Sequence, residues 1–251
     1  MKGLDGEAVL VTGASRGAGA GIARAIAGAG GRVIVHYARN RAAAEAVAGA
    51  LDDACLGLVE DDFADRDAPE RVWSEAKALA GGRMFKLAIN HGVFEPASVL
   101  DDAGAWRANW DRTLQVDLIS AVDLARLAAR DWLDQGRGGA MVAITSRAAQ
   151  RGDDPDHPSY AAAKAGLTAA MKTLARAYAG RGVLAYAIAP GWIDTEMAPT
   201  GEARKAAEAE IPLGRMAGVD EIGALTAFLL SGACESAAGS VFDVNGASHV
   251  R

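Results

Sequence analysis

Cysteine is scarce in this chain of 251 residues, which contains only Cys55 and Cys234. Two cysteines cannot build the disulfide framework of a small secreted domain, so we interpret both as small packing residues of a cytoplasmic protein. The N-terminal segment 1–6 lacks the basic and apolar parts of a signal peptide. The sequence has no run of about 18 apolar residues, so it contains no predicted membrane-spanning helix.

Basic residues are too few and too scattered to form a surface for nucleic acid. The chain has 26 Lys and Arg residues against 32 Asp and Glu, which gives a formal net charge of −6. Nucleic acids and acidic membranes bind clustered positive charge, so we expect neither as a partner. Hydrophobic residues make up 51% of the chain, a value typical of a globular protein with a large core.

Short apolar runs alternate with helical patterns along the chain. The apolar runs predict strands at 8–12, 32–36, 56–59, 85–90, 140–145, 183–188 and 240–244. The helical patterns lie at 19–29, 41–51, 68–80, 110–133, 160–179 and 220–230. This alternation predicts an α/β fold, a doubly wound Rossmann fold of about seven parallel strands with helices on both faces. We expect one domain over 1–251, with the polar segment 194–216 as a candidate lid.

A glycine-rich turn follows the first predicted strand and opens the first helix. Residues 12–19 are Thr-Gly-Ala-Ser-Arg-Gly-Ala-Gly, a G-x-x-x-G-x-G spacing. A Walker loop is excluded because the turn has no Lys, and G-x-G-x-x-G is excluded because Ile22 stands at the third glycine position. Glycines permit close approach of a ligand, and the N-terminus of a helix attracts phosphate. Such turns are common in proteins, but this position in the chain favours a dinucleotide site.

The end of the second predicted strand indicates which dinucleotide binds. An NAD site commonly places Asp or Glu about 20 residues after the turn. Here residues 36–41 are His-Tyr-Ala-Arg-Asn-Arg, with no acid. Arg39 and Arg16 are suited to bind a 2′-phosphate, so we predict NADP(H) as the cofactor. NAD(H) is the alternative, in which case these arginines are simply solvated.

Three polar residues form a candidate acid/base site. Tyr160 and Lys164 are four residues apart and share one helix face, which continues through Leu167 and Met171 into the core. An ammonium beside a phenol lowers its pKa and suits it to proton transfer. Ser146 ends the fifth predicted strand, at the sheet edge where ligands bind. Taken singly, the Tyr–Lys pair also fits ordinary packing with the Lys reaching solvent, and the Ser also fits a turn.

In combination and in this order, these residues resemble the short-chain dehydrogenase/reductase family over nearly the whole chain. The resemblance implies that Tyr160 is the general acid/base, that Lys164 depresses the Tyr160 pKa and binds the nicotinamide ribose, and that Ser146 orients the carbonyl. The segments that carry the resemblance are 12–19, Asp62, Ser146, Tyr160 to Lys164, 190–195, 211–215 and 239–246. The implied cofactor contacts are Gly13, Ser15, Arg16, Gly17, Gly19, Arg39, Asp62, Asn90, Gly92, Tyr160, Lys164, Pro190, Gly191, Ile193 and Thr195. The expected substrate walls are Phe94, Ala148, Gln150, Trp192 and Met197, and no metal site is expected.

The chain departs from the family pattern at two positions. The usual Asn-Asn-Ala-Gly is Ile-Asn-His-Gly at 89–92, and we interpret His91 as a hydrogen-bonded supporting residue. The fourth catalytic residue of the family, an Asn that supports a water-mediated proton path, is replaced by Asp117. An Asp accepts hydrogen bonds there, and its charge would keep Lys164 protonated more firmly. We therefore expect Asp117 to retain the relay role in part.

These observations predict an NADP(H)-dependent oxidoreductase that interconverts an alcohol and a ketone, aldehyde or β-keto thioester. The motifs are most similar to those of β-ketoacyl-carrier-protein reductases, a style shared with alcohol, sugar and steroid dehydrogenases. One alternative is an NAD-dependent sugar, polyol or steroid dehydrogenase. Another is a cofactor-binding regulatory protein without turnover, which the presence of Tyr160 and Lys164 disfavours. The family resemblance further implies a homotetramer or dimer built through the helices at 110–133 and 160–179.

Overall fold

A parallel sheet of seven strands forms the centre of the computed structural model, which describes residues 3–196 and 198–250. The strand order is β3-β2-β1-β4-β5-β6-β7, and all neighbours pair in parallel. The strands are β1 (Ala8–Val11), β2 (Arg32–Tyr37), β3 (Cys55–Glu60), β4 (Met84–Ile89), β5 (Gly139–Ile144), β6 (Val183–Pro190) and β7 (Val241–Val244). The predicted fold class is confirmed.

The helices connect successive strands and cover both faces of the sheet. They are α1 (Gly17–Gly28), α2 (Arg41–Leu51), α3 (Ala68–Leu79), α4 (Ala103–Leu114), α5 (Ser120–Asp134), α6 (Ala148–Arg151), α7 (Pro158–Tyr178), α8 (Gly201–Ala209) and α9 (Val219–Leu230). Short 3-10 turns lie at Asp52–Ala54, Ala179–Arg181 and Glu235–Ala237, and a π-helical segment, Gln115–Ile119, joins α4 to α5. Within the described residues, none of these helices combines the length and apolar character that crossing a bilayer requires.

Two hydrophobic clusters hold the helices on the sheet. On one face, α3, α5 and α7 contribute Trp73, Leu124 and Leu167 to the first cluster. On the other face, α1 and α9 contribute Ile22 and Ile222 to the second. Strands buried on both sides need apolar residues at successive positions, which explains the lack of polar alternation in the sequence.

The sheet reverses its winding between β1 and β4. From β1 the chain passes outward to β2 and β3, and it then returns to β4 on the other side of β1 and continues to β7. The loops that leave the carboxyl ends of β1 and β4 therefore diverge and open a crevice, the usual ligand position in this type of sheet.

The structure corrects two expectations from the sequence. The predicted helix 110–133 begins earlier, at Ala103, because the Asp102 side chain accepts hydrogen bonds from two amides of the first turn. The π-helical segment also divides this helix in two, because its wider turn breaks the regular 3.6-residue period. The cysteines are less buried than expected: Cys55 is half-buried and Cys234 is exposed.

Candidate functional site

A cleft of about 720 Å³ lies over the carboxyl ends of the central strands. The structure brings together in its lining the predicted cofactor contacts and the four predicted catalytic side chains. They are Gly13, Ser15, Arg16, Gly17, Gly19, Arg39, Asp62, Asn90, Gly92, Asp117, Ser146, Tyr160, Lys164, Pro190, Gly191, Ile193 and Thr195. Most of these residues lie at or just after the carboxyl ends of six strands, β1 to β6, so the parallel sheet gathers them at one edge. Asp117 comes from the π-helical segment, and Tyr160 and Lys164 come from α7.

The glycine turn has the geometry of a phosphate cradle. Gly13 and Gly17 have φ of 61° and 54°, a region that favours glycine. A Cβ on Gly19 would lie 2.1 Å from the carbonyl oxygen of Gly13, so only glycine fits there. Helix α1 begins directly after the turn with no acidic residue and no side-chain cap in its first turn. Its free N–H groups therefore face the cleft with a favourable dipole for an anion.

His36, near the end of β2, accepts a hydrogen bond from the main chain of this turn. The amide of Gly13 donates to Nδ1 of His36 at 3.1 Å, and Nε2 of His36 lies 3.1 Å from the carbonyl oxygen of Asp61. The ring is therefore a neutral tautomer with its proton on Nε2. Burial lowers its pKa to about 4, so it stays neutral at physiological pH.

Arg39 and Asp62 meet across the far end of the cleft. Nη2 of Arg39 lies 2.8 Å from Oδ2 of Asp62, and the Arg39 side chain is 72% exposed. Burial would raise the pKa of Asp62, but the amide of Ala64 and the Arg39 guanidinium outweigh it and lower the pKa. The predicted phosphate-binding Arg and the predicted adenine-contacting Asp are thus neighbours, and Arg39 keeps further donors available to an anion.

Ser146 and Tyr160 form the reactive end of the cleft. The amide of Ala148 donates to Oγ of Ser146 at 3.1 Å, which leaves the Ser146 hydroxyl proton for another acceptor. A hydrogen bond from Ser146 and the charge of Lys164 both lower the pKa of Tyr160, but burial outweighs them and the net shift is upward. The lowering influence of Lys164 expected from the sequence is therefore present but is not dominant.

Lys164 and Asp117 form a buried ion pair below Tyr160. Nζ of Lys164 lies 3.0 Å from Oδ2 of Asp117, and the two side chains are 5% and 0% exposed. Burial would lower the pKa of Lys164, yet Asp117 outweighs it and raises the pKa. Asp117 thus keeps Lys164 protonated, in the direction expected from the sequence. Nζ also lies 5.5 Å from the centre of the Tyr160 ring, close enough to act on the phenol.

The main chain around Gly92 and Val93 accommodates this pair. The amide of Val93 donates to Oδ1 of Asp117 at 2.7 Å. A Cβ on Gly92 would lie 2.7 Å from Oδ2 of Asp117 and 3.1 Å from Nζ of Lys164. A side chain at this position would therefore displace the carboxylate or the ammonium where the loop after β4 crosses the ion pair.

The structure brings only two of the predicted substrate-wall residues to the cleft. Phe94 and Trp192 line the cleft, and the Phe94 ring packs edge-on against Tyr160 with centroids 4.9 Å apart. Ala148 and Gln150 are outside the lining formed by residues 3–196 and 198–250, because they lie on α6, where Ala148 is buried and Gln150 faces solvent. Met197, the remaining predicted wall, lies outside the described residues.

The segment 194–216 borders the same cleft. It contains α8 and ends in a small apolar cluster in which Trp192 and Ala198 pack against Ile211 and Met216. Residues 195, 196, 198 and 199 line the cleft, so the segment covers one side of it. Its role as a lid stays a prediction.

Comparison with known proteins decides the family. The family model described as Enoyl-(Acyl carrier protein) reductase matches residues 13–249. The chain belongs to the short-chain dehydrogenase/reductase family. It is therefore an oxidoreductase of a family that acts on alcohol or carbonyl substrates and binds a nicotinamide cofactor.

The relatives of this short-chain dehydrogenase/reductase have diverse names. The chain is 30% identical to 3beta-hydroxysteroid dehydrogenase 1 of Eggerthella lenta, over 97% of this chain and 94% of the relative. It is 31% identical to 3-oxoacyl-[acyl-carrier-protein] reductase FabG of Escherichia coli, over 98% and 99%. A solved structure of a putative 2-deoxy-D-gluconate 3-dehydrogenase from Agrobacterium tumefaciens with bound NADP aligns with a TM-score of 0.86 at 28% identity, over 97% and 96%.

The cradle fits the nicotinamide cofactor of the family. The glycine turn and the N-terminus of α1 suit the pyrophosphate, and the cleft extends from Arg39 past Lys164 to Tyr160. Sequence reasoning did not assign several other lining residues, among them His36, Phe63 and Arg147. His36 lies in the last two residues of β2, and Phe63 and Arg147 adjoin the assigned Asp62 and Ser146; these positions were the available signal.

Proposed function

We propose that this short-chain dehydrogenase/reductase interconverts a ketone, aldehyde or β-keto thioester and the matching alcohol with NADP(H), using Tyr160 as general acid/base. The observation that carries the proposal is the convergence of Ser146, Tyr160 and the Asp117–Lys164 pair at one end of the cleft whose other part is the glycine turn. A nicotinamide ring bound at this end of the cleft would have Tyr160 beside it as a proton donor.

In carbonyl reduction, the Oη of Tyr160 gives its proton to the substrate oxygen, and in alcohol oxidation it takes the proton back. With substrate bound, the Ser146 hydroxyl would donate to the same oxygen and stabilise the charge that develops there. The bound cofactor supplies or accepts the hydride. Burial keeps Tyr160 protonated at neutral pH, which suits the reduction direction.

We propose that Lys164 and Asp117 assist the proton transfer by Tyr160. Lys164 remains an ammonium because Asp117 raises its pKa, and it stabilises the phenolate left after proton transfer. Asp117 is proposed to keep the relay role in part, since its Oδ2 can accept a hydrogen bond as the amide oxygen of an Asn would.

The proposed preference for NADP(H) rests on Arg39 and Arg16. Both line the far part of the cleft and both are exposed, so they can bind a 2′-phosphate without loss of an internal contact other than Arg39 with Asp62. The NADP bound to the Agrobacterium tumefaciens relative is consistent with this choice. NAD(H) is the alternative that the same test addresses.

The test is a screen of carbonyl compounds in which loss of NADPH or NADH absorbance is followed. Wild type, Tyr160→Phe and Tyr178→Phe are compared, the last as a matched removal of a phenol from the other end of α7. We expect turnover with NADPH that falls by roughly 1,000-fold or more in Tyr160→Phe and is retained in Tyr178→Phe. Cofactor binding with no Tyr160-dependent turnover on any compound would instead support a regulatory protein.

We also infer a cytoplasmic homo-oligomer, a tetramer or a dimer. The inference rests on the family resemblance, which implies packing through the helices at 110–133 and 160–179. Ile119, at the end of the π-helical segment between α4 and α5, is 38% exposed on the first of these. Sedimentation equilibrium at two protein concentrations tests this, and a monomer at both would reject it.

A further inference from the structure

His91 lies at the centre of a buried hydrogen-bond chain that the proton transfer chemistry above does not use. Its Nδ1 is 2.8 Å from Oγ1 of Thr12, and its Nε2 is 2.9 Å from Oγ of Ser120. The Ser120 hydroxyl donates to the carbonyl oxygen of Val116 at 2.7 Å. His91, Thr12 and Ser120 are 8%, 0% and 0% exposed, so these bonds are shielded from water.

The directions of these bonds follow from the available protons. Because the Ser120 hydroxyl gives its one proton to Val116, Nε2 of His91 must donate to Oγ of Ser120. Burial, together with the charge of Lys164, holds the pKa of His91 far below its ordinary range. The ring is therefore neutral and Nδ1 is an acceptor. The Thr12 hydroxyl donates its one proton to Nδ1 at 2.8 Å, in preference to the carbonyl oxygen of Ala88 at 3.3 Å. One continuous series of hydrogen bonds thus runs from Thr12, at the end of β1, to the Val116 carbonyl.

This series of hydrogen bonds ends at a carbonyl group of the π-helical segment. In the π-helical segment the amide of Ser120 bonds to the carbonyl of Gln115, five residues back, rather than to that of Val116. The hydroxyl of Ser120 bonds to the carbonyl of Val116 instead. The next residue, Asp117, is the one that pairs with Lys164. The widened turn therefore presents Asp117 to the ion pair, and His91 fixes the hydroxyl that stabilises that turn.

We propose that His91 is a positioning residue that holds the π-helical segment, through Ser120 and Val116, in the conformation that pairs Asp117 with Lys164. The effect of His91 on turnover rests on the proposed function, whereas its effect on the conformation of the π-helical segment does not. It assigns a purpose to the histidine that replaces the alanine of the family motif.

The experiment is a double-mutant cycle between His91→Leu and Asp117→Asn in the full-length protein. His91→Leu keeps an apolar side chain in contact with Phe63 but removes the bond to Ser120. Ser120→Ala removes the same bond without changing the ring. Thr226→Val is the control, because Thr226 is another buried hydroxyl that donates to a carbonyl four residues back, in α9 and away from the cleft.

We expect His91→Leu and Ser120→Ala to lower kcat roughly tenfold, with the KM for NADPH changed less than about twofold. The alkaline limb of the kcat profile for reduction moves to lower pH, as in Asp117→Asn, because Asp117 no longer raises the pKa of Tyr160 from its present distance. When His91→Leu or Ser120→Ala is added to Asp117→Asn, we expect kcat to fall by less than about a further twofold. An equal loss in both backgrounds, or a pH profile unchanged in both single variants, would overturn the proposal.

Hydrogen exchange separates this proposal from the proposed function. Exchange at the Val93 amide and across residues 115–120 should be faster in His91→Leu and Ser120→Ala than in Thr226→Val, because Val93 bonds to Asp117. If wild type shows no Tyr160-dependent turnover, the proposed function fails and exchange alone decides. Unchanged exchange in both variants would then reject the role of His91.

Discussion

Acidification is expected to destabilise the protein through His36, a buried neutral ring in the cofactor cleft. Its pKa falls from 6.5 to about 4 on folding because burial disfavours the charged form. In the unfolded chain the ring titrates at its ordinary value, so between pH 6.5 and 4 the unfolded state binds the extra proton. The stabilisation is therefore complete above pH 6.5 and declines as the pH falls.

The magnitude follows from 1.36 kcal/mol for each pKa unit. Lowering the pH from 7 to 4 should cost about 3 kcal/mol of unfolding free energy from His36 alone. The pKa of His91 is lowered in the same direction, again by burial first, and adds to the loss. A loss of this size is a large fraction of the stability of a typical domain.

Urea unfolding at several pH values between 7 and 4 measures this dependence. His36→Asn keeps a side-chain oxygen that can accept from the amide of Gly13 but removes the titrating ring. Its unfolding free energy should fall less steeply with pH than that of wild type, by up to one proton, or about 1.4 kcal/mol per pH unit. Parallel profiles for wild type and His36→Asn would refute the assignment of a neutral, buried His36. His91→Leu should likewise make the unfolding free energy depend less steeply on pH, because it removes the second buried neutral ring.

Three further outcomes are expected around the same cleft. Gly92→Ala should reduce kcat roughly 100-fold, because its Cβ would push against Asp117 and Lys164; Gly28→Ala, which meets open space, is the control and should be fully active. Asp117→Asn should move the alkaline limb of the reduction profile to lower pH, since the carboxylate raises the pKa of the acid Tyr160 as well as that of Lys164, and a strong gain in activity with an unchanged profile would contradict a relay role. Arg39→Asp should shift the ratio of kcat/KM for NADPH to that for NADH roughly 10- to 100-fold toward NADH, and an unchanged ratio would exclude Arg39 from phosphate binding.

The course of the helix between β4 and β5 shows where reasoning from the sequence stopped. Apolar periodicity predicted one helix over 110–133, but the structure begins it at Ala103 and interrupts it at Gln115–Ile119. A π turn adds one residue between helical faces, and the hydroxyl and imidazole that stabilise it lie in different parts of the chain. Periodicity in a single segment does not contain that information.

The cofactor end of the cleft gives the opposite lesson. The spacing of Gly13, Gly17 and Gly19 after an apolar run was enough to predict the turn and the helix that follows. Positive φ and close backbone approach exclude other residue types, so the glycines are visible in the sequence itself. The contact of Arg39 with Asp62 was not predicted, because it joins the ends of two strands across 23 positions of the chain.

By itself the sequence determined the parallel sheet, the glycine turn and the shared face of Tyr160 and Lys164, because each depends on residues a few positions apart. The tertiary structure alone decided that Asp117 pairs with Lys164, that His91 bonds to Ser120, and that burial outweighs the ammonium in setting the Tyr160 pKa. Burial and long-range charge depend on what the folded chain packs around a group. Those surroundings exist only once β4, the π-helical segment and α7 have come together.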